Sequence, residues 1–193
     1  LMEPELAQLL IDKVTDAIIR LNDIYLDIAG PHIDIMEIPG DDYAGTEHQL
    51  ITPKVFQRIM APALARLVKP IKHYREDLFV AYPRDGAITP LLPSFIDAGI
   101  DLVHPLEPLP ANDLQAIKAE YGDRLSFRGA IDIKEAMPGS LADVEAEVQR
   151  RVETLAPGGG YVLAAANHLQ DDVPPENIVA MFDAIEEFGG YGD

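Results

Sequence analysis

At 193 residues the chain is long enough for one well-buried domain and short for two, and 48% hydrophobic with 7% aromatic residues is globular composition. The absence of cysteine excludes disulfides, thiolate nucleophiles and thiolate metal sites. Fifteen basic against thirty-three acidic side chains give a net charge of −18, which argues against nucleic acid and anionic membrane surfaces as partners.

In chain order, residues 3–29 place Leu6, Leu9, Leu10, Val14, Ala17, Ile18, Leu21 and Tyr25 at three- and four-residue steps, the period of an amphipathic helix. Gly30-Pro31 ends it. The run "HIDIMEI" reads as a strand closing on Pro39-Gly40. Thr52 followed by Pro53 predicts an N-cap and first helical position, with Pro62 and Pro70 expected to kink or segment the helix toward Tyr74. The stretch "LFVAY" at 78–82 is a strand. Thr89-Pro90 repeats the cap-and-start signal, and Gly99 reads as the stop. "IDLVHP" is strand, "NDLQAIKAEYG" helix, and "RLSFRG" strand. Ser140 and Asp143 form a capping box for a helix over 141–156. "GYVLAAA" is strand, and "PPENIVAMFDAIEEFG" closes as helix. Asp34 and Asp101, each opening a strand, read as structural residues.

The order is a leading helix (1–30) and then five strand–loop–helix units (31–193), within a single domain. The strands are short and apolar without alternation, as parallel strands covered on both faces are. An α/β sheet of this kind is an open doubly wound sheet or part of an eight-fold barrel. No Gly-x-Gly-x-x-Gly and no phosphate-binding Gly-Lys-Ser/Thr loop occurs, which counts against nucleotide-binding folds.

Function in a barrel gathers in the loops that leave the carboxyl ends of the strands. Here those loops carry Asp41, Asp42, Tyr43 and His48; Arg84 and Asp85; His104 and Glu107; Asp132 and Lys134; and Asn167-His168. Carboxylates converging on an imidazole suit a divalent metal or acid–base chemistry. Asp85, Glu107 and His168 are the leading set. Each also has a plain structural reading: Asp85-Gly86 a tight turn, Glu107 a helix cap, Asp132 a brace on backbone N–H groups, His168 a buried imidazole bonded to a carbonyl. His32, His48 and His73 look peripheral.

The stretches "GDDYAGTEHQLITPKVF", "RDGAITPLLPSFIDAGIDLVHPLEP", "YGDRLSFRGAID" and above all "GGGYVLAAANHLQDDVPPENIVAMFDAIEEFGGYGD" resemble the uroporphyrinogen decarboxylase superfamily, from about residue 31 onward. The resemblance implies a (β/α)8 barrel of which this chain holds the last five strand–helix units, the N-terminal strands being missing. Absent with them are the segments where the decarboxylases keep their catalytic aspartate and substrate-binding arginines. His168 matches a histidine near the substrate in decarboxylases. The superfamily also contains cobalamin-linked methyltransferases, whose zinc-binding His-x-Cys-Gly element reads Pro83-Arg84-Asp85-Gly86 here, with the later cysteine position at Asn167 or His168.

From this resemblance His168 and Asp85 are expected to be catalytic, and Asp42, Tyr43, Arg84 and Asp132 to bind a small-molecule substrate. His168, Asp85 and Glu107 would form a metal site harder than the family's zinc centre. Methyl transfer with a corrinoid partner protein is the expected chemistry. Uroporphyrinogen decarboxylation and an inactive portion of an enzyme are the alternatives. Five strands do not close an eight-stranded barrel, so a homo-oligomer is expected; no membrane leader or span is read, which implies a cytoplasmic location.

Overall fold

The computed structural model describes residues 3–190. Its elements run α1 (Pro4–Ala29), β1 (Ile35–Glu37), α2 (Pro53–Tyr74), β2 (Phe79–Pro83), α3 (Leu92–Asp97), β3 (Leu102–Leu106), α4 (Leu114–Tyr121), β4 (Ser126–Ile131), α5 (Leu141–Leu155), β5 (Tyr161–Ala165) and α6 (Pro175–Phe188), with short 3-10 turns at Gly30–His32 and Thr89–Leu91. The five strands form one parallel sheet in the order β1-β2-β3-β4-β5. A doubly wound sheet reverses its strand order at a switch point. The unbroken sequential order is that of consecutive barrel units.

Alternate strand residues divide the sheet into two faces. Met36, Val80, Tyr82, Val103, Phe127 and Tyr161 are buried in one cluster with Phe56, Leu64, Val68 and Ile71 of α2, Phe95 of α3 and Ile117 of α4. A second cluster, Ile131, Met137, Val144, Val148, Met181 and Ala184, lies under α5 and α6. The opposite parity carries Ile35, Phe79 and Val162, which are exposed at 40%, 46% and 45%. That second face is the inner wall of the curve, and Glu37 on β1 reaches across it to pair with Arg128 on β4.

Local signals set the helix starts. The Thr52 hydroxyl accepts from Val55 N–H (3.3 Å), and Ser140 and Asp143 complete a reciprocal capping box. Asp101 anchors the base of the sheet, accepting from Val80 N–H (2.7 Å) and pairing with Lys72 (2.7 Å). Asp34 stays solvated, 3.6 Å from Arg75.

Two expectations need correction, and α1 adds a finding that its period alone does not give. Thr89 is not an N-cap: its hydroxyl turns away to Asn112 Oδ1 (2.9 Å), and the segment begins as a 3-10 turn before α3. Pro62 and Pro70 do not segment α2, which continues through both; the carbonyls they free belong to Arg58 and Arg66, both exposed residues within reach of water. The apolar stripe of α1 is not buried. Leu6, Leu9, Leu10, Val14, Leu21 and Tyr25 remain exposed, because α1 meets α2 along another face, where Arg66 bonds Asp12 (2.8 Å) and Asp16 (2.5 Å).

Candidate functional site

The strand tips open onto a cavity of about 690 Å3, lined by Glu37, Gly40, Asp41, Asp42, Pro83, Arg84, Asp85, His104, Pro105, Ala165, Asn167 and His168. Every lining residue comes from the carboxyl end of a strand, or the loop leaving it, on β1, β2, β3 or β5. Sequence reasoning named Asp42, Arg84, Asp85 and His168, and the structure brings all four to this one rim.

Asp85 is placed by a clasp between loops. Gly86 adopts φ +77° and sits so close to the loop after β1 that a Cβ would meet Ala44 O at 2.6 Å, so only glycine fits. Its N–H donates to Glu107 Oε2 (2.6 Å), and its carbonyl accepts from Asn112 Nδ2 (2.8 Å). Ala87 N–H reaches Gly45 O (2.8 Å), and Gln49 Nε2 reaches Ala87 O (2.6 Å). Two side chains and a neighbouring loop thus fix the peptide next to Asp85.

The clasp corrects the role predicted for Glu107. Its buried carboxylate is turned onto Gly86 N–H, with Lys134 at 4.0 Å, and it does not line the main cavity. Asp85, Glu107 and His168 therefore do not converge as a ligand set. Among the described residues no group of three or more His, Cys, Asp or Glu is placed to hold a metal ion. The donors among the described residues do not fit a zinc centre.

Asp132 takes the bracing role that the sequence also allowed, apart from the main cavity. Its Oδ1 accepts from Lys134 N–H (2.8 Å), bracing its own loop, and it lines a separate cavity of about 320 Å3 with Glu107 and Lys134. Tyr43 is buried away from the main cavity. Its hydroxyl donates to Asp41 (2.9 Å) and its ring meets Phe56 edge-on at 5.1 Å.

Arg84 is the buried cation of the rim, 2% exposed. Its guanidinium lies 3.4 Å from the Tyr82 ring centre and 4.8 Å from that of Tyr43, with Asp41 at 3.9 Å. Nη1 donates to the Pro83 carbonyl, while Nε and Nη2 are buried without a hydrogen-bond partner. Burial pushes the phenol pKa of both Tyr43 and Tyr82 upward, so both remain neutral beneath the cation.

On the inner wall His104 stands near the Glu37–Arg128 pair. Burial, followed by the Arg128 charge, pushes its imidazole pKa down. His168 is exposed at the opposite lip. Between it and Asp85 lies Asn167, which sequence reasoning placed at the last strand exit and as one of two candidates for the family's later cysteine position, without a bridging role. Its amide Nδ2 donates to Asp85 Oδ2 (3.1 Å), and its Oδ1 accepts from His168 N–H (2.8 Å) and faces His168 Nδ1 at 3.0 Å. An asparagine in a polar loop gives no sequence sign of such a bridge, because its partner Asp85 lies 82 residues away on another loop.

A model of the uroporphyrinogen decarboxylase (URO-D) family matches residues 1–188. The chain belongs to the uroporphyrinogen decarboxylase family. A curated relative, the uroporphyrinogen decarboxylase of Pseudoalteromonas atlantica (strain T6c / ATCC BAA-1087), is 23% identical over 197 residues, covering 96% of this chain and 49% of that protein. Among solved structures, a methyltransferase from Methanosarcina mazei superposes with a TM-score of 0.71 at 22% identity, over 93% of this chain and 48% of that one. The chain thus spans about half the length of the URO-D relatives it matches. The structural likeness shows the fold: five parallel strand–helix units in barrel order.

Proposed function

We propose that the chain forms the carboxyl-terminal part of a URO-D-family active site of the methyltransferase-like branch, which acts on a neutral or cationic small molecule. The observation that carries this reading is the charge of the rim. Glu37, Asp41, Asp42 and Asp85 line the cavity, and the one cation among the lining residues, Arg84, is buried under Asp41 and two tyrosine rings. Such a mouth, on a chain of net charge −18, repels a polycarboxylate and attracts or tolerates the opposite. A corrinoid carried by a partner protein would supply the methyl group. His168 would take the proton from the acceptor nucleophile, and Asp85 would orient the imidazole and stabilise its charged form.

A second reading, decarboxylation of a tetrapyrrole carboxylate, has one observation in its favour. The two guanidinium nitrogens of Arg84 that lack a hydrogen-bond partner, Nε and Nη2, are donors of the type that a carboxylate accepts. Titration of the protein with methylcobalamin and with uroporphyrinogen separates the two, with demethylation of the first followed by absorbance. The methyltransferase reading expects corrinoid demethylation in the presence of acceptor, at least tenfold slower in His168→Ala. Tight binding of uroporphyrinogen with release of CO2 would replace it by the second reading.

A further inference from the structure

We propose that Asn167 is a positioning residue that holds His168 in the Nδ1–H tautomer, with Asp85 locking the amide that does so. The inference rests on the reading above, in which His168 moves a proton, but its geometry stands independently.

Two neighbours fix the orientation of the Asn167 amide. A flipped amide would set its oxygen against the Asp85 carboxylate and its NH2 against the backbone N–H of His168, placing acceptor against acceptor and donor against donor. The orientation with Nδ2 on Asp85 (3.1 Å) and Oδ1 on His168 N–H (2.8 Å) satisfies both. Once the oxygen faces His168, it can only accept. The ring nitrogen 3.0 Å away, Nδ1, must then be the one that carries the proton. Nε2 is left with its lone pair on a residue that lines the cavity, and no other protein group among the described residues bonds it.

A bare Nε2 is what a general base at this lip needs. After it takes a proton, the ring carries two N–H groups, and Asn167 Oδ1 still accepts from the first. Asp85 does not touch the imidazole. It acts through the amide, which explains how a carboxylate on the loop after β2 and an imidazole on the loop after β5 work as one unit.

The test is histidine-selective ¹⁵N labelling of the whole chain, read at about pH 9, where an ordinary imidazole is neutral. The expected spectrum gives His168 a pyrrole-type Nδ1 and a pyridine-type Nε2. In Asn167→Ala the Nδ1–H form falls to a minority, while the signals of the other four histidines stay in place and report an intact fold. Asp85→Ala, which frees the amide to rotate, gives a partial loss. A wild-type His168 protonated on Nε2, or an Asn167→Ala spectrum unchanged at His168, overturns the proposal. The readout requires no turnover. If the tautomer behaves as expected while His168→Ala retains full activity, the functional reading falls and the positioning role stands.

Discussion

His104, on the inner wall of the cavity, resists charge. Burial and the Arg128 guanidinium oppose its protonation, Glu37 favours it, and the balance depresses its pKa in the folded chain. A lowered folded pKa means that the unfolded chain takes the proton first. The stability from this group is complete above about pH 6.5, the unfolded value, and is lost as pH falls toward the folded one. Chemical denaturation from pH 7 to 5 should therefore show a smaller loss of stability in His104→Gln than in the parent; parallel curves would remove His104 as the cause. Arg84 gives a second prediction. Its flat guanidinium covers the Tyr82 ring, which a lysine ammonium does not do, so Arg84→Lys should cost about 1–2 kcal/mol in urea unfolding. These residues also mark what the sequence discloses about a site. Arg84, Asp85 and His168 were legible because a strand end followed by a charged loop places them on the rim. Glu107 was misread because the direction of a carboxylate depends on the loop it finds. Its partner, Gly86 N–H, lies 21 residues away, on a different strand–loop unit.

At the scale of elements, α5 shows how a helix is tied to the strand before it. Glu147, buried at 2% exposure, accepts from Asp132 N–H (3.0 Å) at the exit of β4 and from Arg151 Nε (2.8 Å), and also pairs with Arg150. Removing a buried, paired carboxylate strands its partners, so Glu147→Ala should lower unfolding stability by about 3 kcal/mol. Glu147→Gln, which keeps an acceptor for Asp132 N–H, should lose less. Equal losses would mean that the ion pairs carry the whole effect and the bond to Asp132 N–H contributes nothing. At the other end of the scale, Ser140→Ala removes only a cap and should cost about 1 kcal/mol. Caps and proline starts were legible because their partners lie within one turn, as at Thr52 and Ser140. Thr89 shows the limit: the same dipeptide, Thr-Pro, opens a 3-10 turn because Asn112, 23 residues on, claims the hydroxyl.

For the molecule as a whole, the exposed inner face governs association. In register, Ile35 pairs with Phe79, and Val162 lies beside Arg128, so half-exposed apolar side chains line the wall that a closed barrel would bury. The outer edges of β1 and β5 have no strand beside them among the described residues. Exposed parallel edges and an uncovered apolar face favour self-association, whereas a charge of −18 on each copy opposes it. Salt decides between these forces. The screening length falls from about 10 Å at 0.1 M to about 3 Å at 1 M, which removes the repulsion between copies while leaving apolar contact intact. Light scattering of this chain should therefore give a mass above 21.1 kDa that rises with ionic strength. Phe79→Asp, which places a charge on the apolar wall beside Ile35, should return it toward the single-chain value. A mass of one chain at both low and high salt would show that the inner face does not join copies.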